Sequence, residues 1–144
     1  MIKLSHLPVR IVTGAFLLNS GLSKRNLTEE AAEGLQGMAA MAVPFVSDLD
    51  AKTFGKLLSA AEIGLGVTLL VPFIPSWLAG AALTGFSGSL LRMYLKAPGM
   101  TEPDGIRPTA DGVALAKDVW MVGIGTTLVI DDVQERRRRR SARD

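Results

Sequence analysis

The chain has 144 residues, 48% of them hydrophobic, and its 16 Lys and Arg against 14 Asp and Glu leave a net charge of +2. Such a length holds one domain. The absence of cysteine excludes disulfides, thiolate chemistry and Cys-ligated metals, and a sole histidine, His6, argues against a His-rich metal site or a Ser-His-Asp triad, so no metal ligand set is expected.

The first apolar stretch runs from about Leu4 to Leu22 and carries Arg10 and Asn19. Its basic start resembles a signal peptide, but "NSGLSKRN" offers no small-x-small cleavage pattern, so it reads as a retained membrane span. In "NLTEEAAEGLQGMAAMAVPF", Leu27, Ala31, Leu35, Met38, Ala42 and Phe45 recur at three- and four-residue spacing. That pattern predicts an amphipathic helix capped by Thr28, with Glu29 and Glu30 at its positive end and Pro44 limiting its length. It would lie on the membrane surface or over the bundle, its Met38-bearing face either packing plainly or lining the way in for a lipid or quinone.

The second span, about Phe54 to Val71, contains Glu62 and leads into the uncharged run Ile63 to Leu91, 29 residues long. A single bilayer crossing needs only ~20 apolar residues. Pro72 and Pro75, in "VPFIPSW", divide the run at a tight turn. The third span is then about Ser76 to Leu95, with Arg92 near its end. Small residues at four-residue spacing (Ala60, Gly64, Thr68 and Ala81, Gly85, Ser89) predict close helix contact. "KAPGMTEPDGIRPTADG", Lys96 to Gly112, reads as a loop. The fourth span, about Val113 to Ile130, carries Lys117 and Asp118.

The expected fold is therefore all-α, an integral membrane four-helix bundle over residues 1–131 with an amphipathic helix between spans one and two, followed by an Arg-rich cytoplasmic tail, 132–144. Arg136 to Arg140 and Arg143 should hold that tail inside, and four spans then place both termini in the cytoplasm. An Arg run without aromatics does not suggest nucleic acid as a partner; membrane lipids do.

Helix rise sets the depth of each charge. Glu62 lies roughly 12 Å from the loop side of span two. Asn19, Arg92 and Asp118 fall in the same half of the bilayer, while Arg10 lies near the opposite face, where it can snorkel to headgroups. Intramembrane charges are costly alone, so Glu62 is expected to pair with Arg92, with Asn19 and Asp118 completing the hydrogen bonds.

Two segments resemble the DoxX family of small four-helix bacterial membrane proteins. "VRIVTGAFLLNSGLSK", Val9 to Lys24, is similar to the family's first helix, with an Arg, a Gly four residues later and a closing small-Gly-Leu-x-Lys. "AAEIGLGVTLLVPF" is similar to its second, an Ala-Glu followed by a Gly-rich apolar run. By position Arg10, Gly14 and Gly21 match the first helix and Glu62 the second. The resemblance implies a subunit of the bacterial cytoplasmic membrane linked to quinone-dependent oxidation, as in thiosulfate:quinone oxidoreductase, with other protein subunits or further copies of itself as partners. The catalytic candidates are then Glu62, Arg92 and Asp118, and those around a bound quinone are Asn19, Met38 and Arg10. Without cysteine, any sulfur redox chemistry would need a partner. The competing reading is a non-catalytic membrane scaffold or assembly factor whose polar cluster only holds the bundle together.

Overall fold

Caps and prolines set the helix ends in a computed structural model that describes residues 3–142. Helix α1, Leu7–Ser23, follows a single turn at Leu4–His6 and carries Pro8 in its first turn, where a missing N–H costs nothing. Helix α2, Glu29–Ala42, starts at Thr28, whose hydroxyl accepts from the Ala31 N–H, and ends before a short turn at Pro44–Asp48. Asp50 caps α3, Ala51–Leu70, by accepting from the Thr53 N–H at 3.0 Å. Pro72 and Pro75 then separate α3 from α4, Ser76–Lys96. A short α5, Val113–Ala116, leads through Lys117 into α6, Asp118–Ser141. The chain is all-helical, with no strand among the described residues.

The long helices run up, down, up and down as two tight antiparallel pairs, α1 with α3 and α4 with α6. Leu17, Leu65, Leu69, Leu83 and Leu128 fill the space between the pairs. Helix α2 lies across α3 and α4, turning Ala32 and Ala42 fully inward. Two segments, α3 and the α5–α6 stretch Val113–Ser141, are long and apolar enough to cross a membrane. The other two expected spans do not reach that measure. Helix α1 has only 17 residues, and α4 is diluted by glycine, serine and threonine.

Two expectations change. The glycines at which helices touch are not those of the predicted stripes. A side chain at Gly64 or Gly85 would meet nothing within 4 Å, whereas a Cβ at Gly66 would stand 2.7 Å from the Leu18 nitrogen. The fourth helix also runs past its expected end at about Ile130, continuing unbroken to Ser141. Asp132 with Arg136 and Glu135 with Arg139, each one turn apart, support that extension, at 2.9 and 2.8 Å. Arg143 lies outside the described residues. The 97–112 segment is a loop, as the sequence predicts, and local bonds hold it. Tyr94 donates to the Ile106 carbonyl at 2.7 Å, and Thr101 bridges Pro108. Asp104 accepts from the Arg107 side chain and from the Ile106 and Arg107 N–H groups, which holds its carboxyl below the usual carboxylate range.

Candidate functional site

The close approach of α1 to α3 decides what Glu62 meets. Glu62 is 6% exposed, and its Oε2 accepts from Lys24, just past the end of α1, at 2.9 Å. Lys24 also donates to Ser20 Oγ at 2.6 Å. Glu62 Oε1 takes no hydrogen bond from any described residue. Arg92, expected as the partner, is exposed and forms no ion pair among the described residues. The reason is rotational. Arg92 sits about 140° around α4 from buried Ser87, on the far side from the stripe that faces the bundle. Asn19 likewise points outward from α1 and takes no part in the cluster.

Asp118 was placed correctly at the depth of Glu62. As the first residue of α6 it is 5% exposed, yet it makes no hydrogen bond or ion pair to any described residue. Both carboxylates, with Lys24 and Lys117, line one cavity of about 210 Å³. Apart from Ser20 its remaining walls are apolar, with Phe16, Phe54, Phe86 and Met93 among them, and α2 closes one side through Leu35, Met38 and Ala39. Met38 thus lines the cavity, one of the two roles open to the apolar face of α2.

The opposite end of the bundle holds a second polar cluster. Arg10 does not snorkel; it is 1% exposed. A helix end leaves carbonyls without partners, and the prolines of the α3–α4 turn carry no N–H to supply them. Arg10 supplies the missing donors. It reaches the carbonyls of Thr68, Leu69, Val71 and Ile74 at 2.8–3.0 Å, and Ser76 Oγ at 3.2 Å. All five guanidinium N–H groups are therefore satisfied, which leaves Arg10 none for a cofactor.

His6, set aside in the sequence, joins this cluster: its Nδ1 is 2.8 Å from Ser76 Oγ and its Nε2 2.6 Å from Asp131 Oδ2. A carboxylate only accepts, so Nε2 carries the proton and Ser76, already accepting from Arg10, donates to Nδ1. Lys3 holds the same Asp131 oxygen at 2.8 Å. A serine, a histidine and an aspartate are thus in contact after all. Ser76, however, is buried and its hydroxyl is committed to Arg10 and His6, so the chain of bonds ties α1, α4 and α6 together. The usable sequence signal was the donor-poor "VPFIP" turn at the level of Arg10. Lys24 was overlooked because it falls two residues beyond the expected span, although a lysine stem can reach back inward.

Among the described residues, no group of three or more His, Cys, Asp or Glu could hold a metal ion. No protein-family model, curated protein or solved structure matches the chain, so the site stands on its own chemistry.

Proposed function

We propose that the chain is a DoxX-like, four-span membrane subunit of a quinone-linked oxidoreductase complex, with a quinone ring held in the Glu62–Lys24–Asp118 cavity. The observation that carries the reading is Asp118, whose carboxylate takes no hydrogen bond from any described residue and opens into a cavity with mostly apolar walls. No side-chain nitrogen or oxygen among the described residues is fully enclosed without a partner, so this carboxylate is open to a ligand that can donate to it. The membrane assignment is supported by the outer surface. Ile11, Val12, Phe16, Leu57, Trp120 and Ile130 are all at least half exposed, in a molecule whose charged pair Glu62–Lys24 faces inward.

The side chains fit a quinone in both redox forms. Ring carbonyls accept, and Lys117 donates, the three Lys24 donors being taken by Glu62 and Ser20; ring hydroxyls donate, and Glu62 Oε1 and Asp118 accept. A bound quinone supplies two-electron chemistry that takes up two protons on reduction. Glu62 and Asp118 hold and pass those protons, Lys24 keeps Glu62 oriented, and α2 keeps water from that side of the cavity. Electrons come from a partner subunit.

The test is a titration with a tail-less benzoquinone in lipid nanodiscs. Glu62→Gln and Asp118→Asn keep shape while removing proton exchange. Each should leave the bundle folded, weaken quinol binding about tenfold, which is roughly 1.4 kcal/mol, and abolish quinone-linked turnover of the assembled complex. Full turnover in both folded variants would reduce the cluster to a packing device and favour the scaffold reading.

The orientation has its own test. The native chain has no cysteine to interfere. In intact cells, Glu102→Cys in the loop should label with an impermeant maleimide and Ser141→Cys should not. The reverse pattern would invert the topology.

A further inference from the structure

The four seams of the bundle are not equally closed. Glycines bring α1 against α3 and α4 against α6, and α2 covers the seam between α3 and α4. The seam between α1 and α6 has no cover, and the two helices are not in close contact there. Next to the cavity it widens into a hollow of about 240 Å³ walled by Val12, Thr13, Trp120 and Ile124. Beyond Trp120 and Ile124 it continues past Val9 and Gly123 to His6 and Asp131. Cavity and hollow share Phe16, Lys117, Asp118 and Met121, and the Lys117 ammonium stands 5.5 Å from the Phe16 ring centroid at that junction.

We propose that the α1–α6 seam holds the hydrocarbon tail of the molecule whose polar ring occupies the cavity, and that Phe16 and Lys117 form the door between them. The inference rests on the cavity reading above. Size is the first argument. At about 210 Å³ the cavity lies below the roughly 300–1,000 Å³ of sites that enclose drug-sized ligands, so it takes a ring and leaves a chain outside. Continuity is the second, because the seam is the open route out of the cavity and its polar groups cluster at its two ends. Length is the third. From Asp118 to Asp131 the groove follows α6 for roughly 20 Å at 1.5 Å per residue, the span of a long chain. The door itself is a cation–π contact between side chains on the open face, a bond weak enough to part as side chains move.

Gly123 offers a clean test, since a side chain there would meet nothing within 4 Å and would project into the groove. Binding of a long-tailed benzoquinone and of its tail-less ring is measured in nanodiscs for the native chain and for Gly123→Trp. Thr127→Phe serves as a second filler should the first fail to fold. Filling the groove should weaken the long-tailed probe about tenfold relative to native, while the ring alone binds as before. Equal weakening of both probes, or of neither, overturns the tail site. So does an unchanged long-tailed affinity accompanied by a change in oligomeric state, which would assign the seam to a second copy of the chain. If the native protein binds neither probe, the cavity reading fails first and the tail site with it.

Discussion

Replacing Arg10 with methionine should unfold the bundle or lower its melting temperature in detergent by more than ~10 °C. The substitution keeps the unbranched apolar stem, so packing around the stem is largely retained. What is lost is the donor set for four carbonyls and for Ser76 Oγ at the α3–α4 turn. Each buried acceptor left bare costs about 1–3 kcal/mol. Even with partial compensation by water, the total should exceed ~4 kcal/mol, a large share of the 5–15 kcal/mol typical of a folded domain. Arg10→Lys should rescue little, because an ammonium presents three donors from one point where a planar fork of five is required. Asn19→Ala on the same helix, exposed and outside the cluster, is the control and should melt like the native protein. A native-like melting temperature for Arg10→Met would remove the turn clamp from the account.

The second large effect concerns helix contact. Gly66→Ala should cost about 1–3 kcal/mol and loosen the Lys24–Glu62 pair, because its Cβ would press 2.7 Å from the Leu18 nitrogen and 2.8 Å from the Gly14 carbonyl oxygen. Both obstacles are backbone, so α1 and α3 must separate. Gly64→Ala, two residues earlier on the same helix, meets nothing within 4 Å and should be neutral or stabilising by up to ~1 kcal/mol through helix propensity. Thermal unfolding of the two variants side by side measures the difference. The opposite ranking would mean that α3 is rotated about its axis relative to the packing described.

The placement of elements was legible because it depends on local signals. Proline at 72 and 75, Thr28 as a cap and long apolar runs set the helix ends to within a few residues, those of α6 excepted. The depth arithmetic that brought Asp118 to the level of Glu62 held, because helix rise is nearly constant. Rotation was not legible. The apolar parts of the four expected spans are apolar nearly all round, so periodicity does not say which face turns inward. Hence the expected stripe runs through Gly64 where Gly66 makes the contact, and Arg92, expected beside Glu62, is turned away from it. The bond network of Arg10, Ser76, His6 and Asp131 joins residues up to 125 positions apart and leaves no local trace except the donor-poor proline turn. The run of α6 past residue 131 could have been read from Asp132–Arg136 and Glu135–Arg139 at one-turn spacing.

The central claim is that a quinone ring sits between Glu62, Lys24 and Asp118. The most direct measurement is native mass spectrometry of the protein extracted in mild detergent, with the released small molecules identified. The account predicts one quinone per native chain and a clearly lower share in a folded Asp118→Asn variant that retains its phospholipid, in keeping with about tenfold weaker binding. A native protein that carries phospholipid alone, or a quinone retained equally by both proteins, would contradict it.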